Sequence, residues 1–347
     1  MRRGDRTADY EYDLPPDRIA QSPLARRDES RLMIVRRAEG AIEHARFSDL
    51  PALLEAGDAL AVNTTKVLRA RLLGRRASGA PAEVLLLHPV GGSDEVWEAM
   101  VSPGGKLRPG RTVHIADGFD AEILEMTERR TRLVRLRSGE PVREAIARHG
   151  HVPLPPYIAR GDEPADAARY QTVFAREEGS VAAPTAGLHF TEPLLAALAA
   201  RGVRRAELLL HVGAGTFKPV ETDDPAEHRM HEEWYRVTAE AARVLNDARR
   251  AGRSIWAVGT TSARTLESAV AADGTFLAAE GETRLFIRPG YSFRAVDKLI
   301  TNFHLPRSTL LMLVAAFAGY ELTMHAYRTA VEDHYRFYSY GDAMAIL

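Results

Sequence analysis

The hydrophobic pattern changes in character along the chain. Residues 31–37 and 58–62 are apolar runs of strand length, and a short helix is predicted between them, with Ser48 as its N-cap and Gly57 after its last turn. Residues 67–137 then alternate apolar and polar positions in about six short segments that Gly and Pro turns separate. Such a series predicts a small closed or nearly closed β-barrel.

Beyond the prolines at 153, 155 and 156, the pattern becomes one of helices alternating with strands. The predicted elements are a helix that Thr191 caps and that runs through Leu198, a strand at 206–212, a helix at 239–251 between Thr238 and Gly252, a strand at 254–258, a helix from about Ser262, a strand at 283–287, and helices at 309–318 and 322–337. This alternation favours an α/β fold, with a mostly parallel sheet covered by helices on both faces. We predict that residues 1–62 and 154–347 form one discontinuous α/β domain, into which residues 63–153 insert as the β-barrel domain.

Composition narrows the class of protein. A chain of 347 residues favours two domains, and 45% hydrophobic with 27% charged residues is typical of a soluble globular protein. The absence of cysteine excludes disulfides, thiolate metal sites and a cysteine nucleophile. The N-terminus lacks the apolar segment of a signal peptide, and the longest apolar run, 310–318, is too short to span a bilayer. We therefore expect a cytoplasmic protein without a membrane segment.

The net charge of −1 argues against a nucleic-acid partner, but the charge is unevenly distributed. Residues 61–153 carry 15 Lys and Arg against 11 Asp and Glu. Such a basic surface could follow an RNA backbone. The alternative is an ordinary solvated face of the predicted strands.

Residues 181–191, VAAPTAGLHFT, combine one proline and one glycine with three polar side chains, Thr185, His189 and Thr191. Pro184 biases its neighbour towards an extended shape and Gly187 allows a backbone angle that other residues avoid. No regular face explains this spacing, which is typical of a loop that holds a ligand. The alternative is a turn that leads into the following helix.

Residues 209–220, LLHVGAGTFKPV, place a glycine-rich turn directly after an apolar strand, where open α/β sheets bind ligands. Gly213 and Gly215 would let a ligand approach the backbone, and Thr216 offers a hydroxyl. Lys218 occupies the position of the third glycine in the dinucleotide fingerprint, so a nicotinamide or flavin cofactor is not expected. A plain β-turn is the alternative.

Residues 258–268, VGTTSARTLES, repeat this arrangement at the start of a helix, where free N–H groups bind carboxylates. Thr260 and Thr261 stand at the turn. Arg264 lies in the first helical turn, where a cation is unfavourable, and it would suit a ligand carboxylate. The alternative is a surface pair between Arg264 and Glu267. Neither a nucleophile elbow nor a P-loop occurs in the sequence.

The remaining candidates for metal binding or acid–base catalysis are histidines. In the segment EHRMHEEW, His228 and His231 would share a helical face, but the order matches no zinc motif, so a capping or substrate-contacting segment is favoured over a metal site. His189, His211 and His304 each stand beside a Gly- or Pro-containing bend. A lone histidine there is usually structural, but three of them suggest that at least one acts as an acid or base.

These stretches, together with residues 12–35, 57–72, 301–312 and 335–344, closely resemble the S-adenosylmethionine:tRNA ribosyltransferase-isomerase family of the queuosine pathway. The resemblance covers all but about the first eight residues, and it implies the same discontinuous layout. It implies transfer and isomerisation of the ribosyl part of S-adenosylmethionine onto 7-aminomethyl-7-deazaguanine at the tRNA wobble position. The products would be epoxyqueuosine-tRNA, adenine and methionine. S-adenosylmethionine is then a consumed co-substrate, and no metal or other cofactor is expected.

The family reaction needs a base that removes the ribose C5′ proton, and we expect His189 or His211 in that role. The residues expected along the S-adenosylmethionine pocket are Thr185, Gly187, Gly213, Gly215, Thr216, Thr260, Thr261 and Arg264. Asn63, Lys66 and Arg71 are expected to contact the tRNA, whereas Asn302 and His304 are expected at the acceptor base or the adenine. The family usually has Asn and Pro where this chain has Thr64 and Arg69, which puts the RNA role of that stretch in doubt.

The expected partner is the single-stranded tRNA anticodon loop, and a monomer is expected. Two alternative functions belong to other classes. A conventional methyltransferase would need a glycine-rich first turn followed by an acidic residue on the next strand. A non-catalytic RNA-binding protein would use the barrel alone.

Overall fold

A computed structural model describes residues 3–213 and 220–347. Within them, nine strands form one sheet. In spatial order these strands are β15 (Ala279–Thr283), β13 (Glu233–Val237), β12 (Arg204–Leu210), β3 (Ala59–Asn63), β14 (Ile255–Val258), β16 (Lys298–Asn302), β17 (Ala343–Ile346), β1 (Arg31–Arg36) and β2 (Ala41–Arg46). The sheet takes strands from both ends of the chain. Strands β4 (Thr65–Val67) and β11 (Glu177–Ser180) pair in parallel as a separate two-stranded sheet.

A closed barrel of six strands occupies the intervening sequence. Its strands are β5 (Arg71–Arg76), β6 (Pro81–Val90), β7 (Ser93–Ser102), β8 (Thr112–Ala116), β9 (Phe119–Met126) and β10 (Arg132–Ser138). Inward positions alternate with outward ones, and Trp97 is among the large side chains buried inside. The closed barrel expected from the alternating pattern is confirmed. The domain boundaries at 62/63 and 153/154 stay a prediction.

Helices cover both faces of the sheet. Alternate residues of β3 show this, because Ala59 and Ala61 belong to one apolar core whereas Leu60 and Val62 belong to another. The described helices are α1 (Val142–His149), α2 (Asp166–Arg169), α3 (Glu192–Ala200), α4 (Ala239–Arg250), α5 (Gly259–Ala269), α6 (Thr309–Ala318) and α7 (Tyr320–Glu332). Short 3-10 helices lie at Thr7–Tyr10, Pro16–Arg18, Arg27–Glu29, Phe47–Leu53, Thr185–His189 and Pro225–Glu227.

Helix α3 packs on the face of the sheet that carries Leu60, whereas helices α4, α5, α6 and α7 pack on the opposite face. Two predicted N-caps are confirmed: Thr191 accepts from the backbone of Leu194, and Thr238 accepts from that of Ala241. Among the described helices none is individually long and apolar enough to cross a bilayer, although α6 and α7 would satisfy length and composition as a pair bent by 117°.

The expectation of a mostly parallel sheet is wrong, because the sheet is mixed. The parallel pairs are β12–β3, β3–β14, β14–β16 and β17–β1, whereas β15–β13, β13–β12, β16–β17 and β1–β2 are antiparallel. Parallel neighbours need a long crossover, usually a helix. Between β12 and β13 the described residues contain only the 3-10 helix Pro225–Glu227, and β13 returns antiparallel.

Several element boundaries differ from the predictions. The strand predicted at 283–287 lies at Ala279–Thr283, and the helix predicted from Ser262 begins three residues earlier, at Gly259. The short helix expected after Ser48 is the 3-10 helix Phe47–Leu53, which Arg46 precedes as N-cap. The helix predicted at 322–337 ends at Glu332. Four sheet strands had no prediction: β2, β13, β16 and β17.

Candidate active site

A pocket of about 70 Å³ lies where the carboxyl ends of neighbouring parallel strands meet. Strands β12, β14 and β16 each lead into one of its walls, and the 3-10 helix Thr185–His189 supplies another. The lining residues are Tyr157, Ala182, Ala183, Pro184, Thr185, Ala186, Val212, Gly259, Thr260, Thr261, Thr301, Asn302, Phe303, His304, Leu305, Ser308, Leu310, Tyr338 and Ser339.

Three of the motifs read from the sequence therefore converge on one pocket, through Thr185, Thr260 and His304. Thr261 and Asn302 also line it, whereas Gly187, Gly213 and Arg264 do not. A Cβ on Gly187 would lie 2.8 Å from the Thr172 Cγ2 atom, so this glycine serves close packing. Gly215 and Thr216 lie outside the described residues.

The N-terminus of α5 forms one wall without a side-chain cap. Gly259 begins the helix at φ +86°, a left-handed angle that favours glycine. The Thr261 and Ser262 hydroxyls are buried there without a hydrogen-bond partner among the described residues. Free N–H groups and unused hydroxyls at a helix start can bind a carboxylate or another acceptor.

Arg264 forms a buried ion pair with Glu233 of β13, and both side chains are about 5% exposed or less. The Arg264 Nε atom also donates to the Leu285 carbonyl at 3.0 Å, and the other Glu233 oxygen accepts from the Gly213 N–H at 3.1 Å. The surface pair with Glu267 considered above is absent, because Glu267 accepts backbone N–H groups of residues 294–296 instead.

His189 lies behind the pocket wall, 4% exposed and stacked on Phe47. Asn302 Nδ2 donates to the His189 Nε2 atom at 3.0 Å and to the Tyr338 carbonyl at 3.1 Å. Because Nε2 accepts, the ring proton resides on Nδ1, which donates to Ser30 Oγ at 2.8 Å. Burial, with the Arg336 and Arg27 cations beside it, lowers the pKa of His189 to about 3. Both ring nitrogens are thus occupied in a neutral imidazole.

His211 lies directly before Val212, which lines the pocket, and it stacks on Trp234. Its Nδ1 atom is 3.0 Å from Thr65 Oγ1, whereas Nε2 has no hydrogen-bond partner among the described residues. Thr65 Oγ1 is 2.7 Å from Ser180 Oγ, which accepts from the Val212 N–H at 2.7 Å. Burial lowers the pKa of His211. Rotating the two hydroxyls would allow either tautomer of the imidazole.

His304 and Asn302 present polar atoms at the pocket wall. His304 Nε2 is 2.7 Å from Thr301 Oγ1, and burial lowers the pKa of His304 to about 3, so the ring is neutral. The Asn302 Oδ1 atom is buried without a partner among the described residues, although Nδ2 is fully used. A buried acceptor without a donor is costly, so Oδ1 is a position where a ligand N–H would bind favourably.

The three candidates for RNA contact have different surroundings. Asn63 is buried, donating to the Leu210 carbonyl and accepting from the backbone of Thr65 and Leu210, which argues against an RNA contact. Lys66 is about half exposed and pairs with Glu178 at 2.8 Å. The Arg71 side chain is 29% exposed, less than the 44% of Lys66.

Arg71 pairs with Glu83 across two barrel strands, at 2.9 Å. The segment that contains His228 and His231 leads into β13, and Glu232, directly before that strand, pairs with Arg129 and Arg284. In the part of the chain that the structure describes, no group of three or more His, Cys, Asp or Glu residues could hold a metal ion.

Sequence reasoning missed the partners that hold the histidines: Ser30, Thr65, Ser180 and Thr301. Thr301 is three residues from His304, and this spacing could have been noticed. Ser30 and Thr65 lie more than a hundred residues from the histidines they touch, and Ser180 reaches His211 only through Thr65, so these three partners carry no local signal.

The mixed sheet, the side barrel and a pocket lined by several hydroxyls and the neutral His304 are typical of an α/β enzyme that binds a small molecule. The family described as queuosine biosynthesis protein matches residues 7–346. The chain therefore belongs to this family. This membership confirms the resemblance inferred from the motifs, and with it the assignment as a transferase.

Similar proteins cover nearly the whole chain. It is 52% identical over 344 residues to the S-adenosylmethionine:tRNA ribosyltransferase-isomerase of Symbiobacterium thermophilum, with 99% of this chain and 100% of the relative covered. It is 53% identical over 344 residues to the same-named protein of Anaeromyxobacter dehalogenans, with 99% of each covered. The crystal structure of the S-adenosylmethionine tRNA ribosyltransferase from Thermotoga maritima aligns with a TM-score of 0.57 at 39% identity, over 97% of this chain and 99% of that one.

Proposed function

We propose that this enzyme transfers and isomerises the ribosyl moiety of S-adenosylmethionine onto 7-aminomethyl-7-deazaguanine at the tRNA wobble position. The products are epoxyqueuosine-tRNA, adenine and methionine. The observation that carries the proposal is the convergence of the motif segments around Thr185, Thr260 and His304 on one pocket at the carboxyl edge of the sheet. Family membership supplies the chemistry, and the pocket supplies the place for it.

The start of α5 is the proposed site for the methionine carboxylate. Its free N–H groups, with Thr260 and the unpartnered hydroxyl of Thr261, favour a negative group. Asn302 Oδ1 is the proposed acceptor for an N–H of adenine or of the acceptor base. Thr185 contributes a further hydroxyl to the pocket, and the roles of Gly215 and Thr216 along the ligand stay predictions.

Arg264 takes a different role from the one expected. Its charge is neutralised by Glu233, which also holds the Gly213 N–H. We assign Arg264 to positioning the glycine-rich segment after β12, while the ligand carboxylate binds at the helix start. Arg264 is therefore a positioning residue and not a ligand-binding one, because it does not line the pocket.

His211 is the favoured general base of the two candidates. The Nε2 lone pair of His189 already accepts from Asn302, and its pKa of about 3 makes it a weak base. His211 has a ring nitrogen without a partner among the described residues. With its Nδ1 proton donated to Thr65 Oγ1, His211 would accept the C5′ proton at Nε2, become the imidazolium, and return that proton to the departing adenine.

The tRNA would approach with its anticodon loop single-stranded and the reacting base turned out of the stack. Lys66 and Arg71 remain proposed contacts, and Asn63 is a weaker one because it is buried. The absence of a resident cofactor, the monomeric state and the cytoplasmic location stay predictions.

One incubation tests the function. Labelled S-adenosylmethionine and precursor tRNA should yield free adenine; S-adenosylhomocysteine would indicate a methyltransferase, and intact ligand an RNA-binding protein. His211→Ala should lower turnover by about 10²–10⁴-fold. His325→Ala, on the exposed side of α7, is the matched control. Wild-type turnover in His211→Ala and in His189→Ala would exclude both as the base.

A further inference from the structure

A second pocket adjoins the active-site pocket, and the buried Ser339 lines both. Three arginines face it from different parts of the chain: Arg27 from the N-terminal region, Arg169 from α2 and Arg336 from beyond α7. No Asp or Glu occurs among its described lining residues. These are Pro23, Leu24, Arg27, Ser30, Arg169, Leu188, His189, Arg336, Ser339, Tyr340 and Gly341.

The positive charge of this pocket is largely uncompensated. Within the described residues, neither Arg27 nor Arg169 has a carboxylate oxygen within 4 Å, and the nearest one to Arg336 belongs to Asp342, at 3.9 Å. Burial and the neighbouring Arg169 charge lower the pKa of Arg27. Like charges held together without a counter-ion repel, so an anion that enters between them is bound favourably.

Backbone carbonyls hold these arginines in place. Arg27 donates to the carbonyls of Ala168 and Gln171, whereas Arg169 donates back to those of Leu24 and Ala25. These neutral acceptors fix the guanidinium groups without cancelling their charge. Preorganised guanidinium groups match the geometry of phosphate oxygens.

We propose that Arg27, Arg169 and Arg336 bind one phosphodiester group of the tRNA anticodon loop. This inference rests on the proposed function. A nucleotide whose base enters the active-site pocket leaves its phosphates outside, and a basic pocket that shares the Ser339 wall is suited to receive one of them. The carboxylate of S-adenosylmethionine is the competing anion, but the uncapped start of α5 already provides for it inside the first pocket.

The first test is binding of an anticodon stem–loop to Arg169→Gln, with Arg243→Gln on the exposed face of α4 as the matched control. A lost charge-assisted contact should weaken binding about tenfold or more. The slope of log affinity against log salt should become shallower by about 0.7, the value for one phosphate on a single strand. The KM for S-adenosylmethionine should stay unchanged. A raised KM for S-adenosylmethionine with unchanged RNA affinity would assign the arginines to the carboxylate and overturn the proposal.

The second test leaves the protein intact. Stem–loops that each carry one uncharged methylphosphonate linkage are bound to the wild-type enzyme. One linkage should reproduce the loss seen in Arg169→Gln and cause no further loss in that variant, because the two changes remove the same contact. Full wild-type affinity for every modified RNA would refute the phosphate site. Adenine release by the wild-type enzyme reports separately on the proposed function, which fails only if that release is absent.

Discussion

The substitution Gly179→Ala offers a direct test of His211 as the general base, because it would move the imidazole ring without removing any polar group. A Cβ at Gly179 would lie 2.4 Å from the His211 Cε1 atom and 2.6 Å from both ring nitrogens. Ordinary carbon contacts begin near 3.4 Å, so in Gly179→Ala the ring must move by about 1 Å. Stacking on Trp234 limits where it can go, and the bond to Thr65 is expected to break.

The expected consequences differ in size for stability and for catalysis. Overpacking of this kind costs about 1–3 kcal/mol of folding free energy. A catalytic group displaced by about 1 Å loses on the order of 100-fold in rate. Turnover in Gly179→Ala should therefore fall by about two orders of magnitude, while the protein stays folded and its KM for S-adenosylmethionine changes little.

The assay is adenine release under saturating S-adenosylmethionine and precursor tRNA, with thermal unfolding measured on the same samples. Gly161→Ala is the matched control, since nothing lies within 4 Å of its added methyl group. A folded Gly179→Ala enzyme with turnover within twofold of wild type would refute the assignment of His211 as the base.

Three further predictions follow from buried groups. The pKa values of His189 and His304 are about 3 when folded and 6.5 when unfolded, so stability is complete above pH 6.5 and falls as the pH drops towards 3. The free energy of unfolding, measured with urea, should be about 2 kcal/mol lower per histidine at pH 5 than at pH 7.5. The same free energy of unfolding at both pH values would contradict this prediction. Arg264→Met should lower the free energy of unfolding by about 3–5 kcal/mol, because it leaves the buried Glu233 carboxylate unpaired. The double variant with Glu233→Leu should recover most of that loss, and chemical denaturation of both variants measures it. Asn302→Asp should raise the pKa of His189 by placing a carboxylate beside Nε2, and NMR titration of the ring showing no rise would count against the observed contact.

The barrel could be predicted from the sequence because short segments encode both its strands and most of its turns. In β9 the burial alternates residue by residue, and a period of two can be read directly from the sequence. Three of the connections between barrel strands are also encoded nearby, by Gly91 and Gly92, by the Pro-Gly pairs at 103–104 and 109–110, and by Gly118. The caps of α3 and α4 are local for the same reason, since Thr191 and Thr238 act on N–H groups three residues away.

The environment of the candidate residues could not be predicted from local patterns. Arg264 was expected to meet a ligand or its helical neighbour Glu267, but a strand that had not been predicted brings Glu233 to it. His189 was expected at the ligand, but Asn302, which lies 113 residues further along, covers its acceptor nitrogen. Contacts of this range depend on strand order, which propensity and periodicity do not encode.

The motif segments around Thr185, Thr260 and His304 nevertheless meet at one pocket, although the sheet is mixed and not mostly parallel. A pocket at the carboxyl edge needs only that the strands leading into it run the same way. The four strands β12, β3, β14 and β16 satisfy this condition, and the antiparallel pairings lie to either side of them. Thr260 and Asn302 are thus delivered to the same place by neighbouring parallel strands. The motifs therefore converge because of the direction of the central strands, and the mixed outer part of the sheet does not affect the argument.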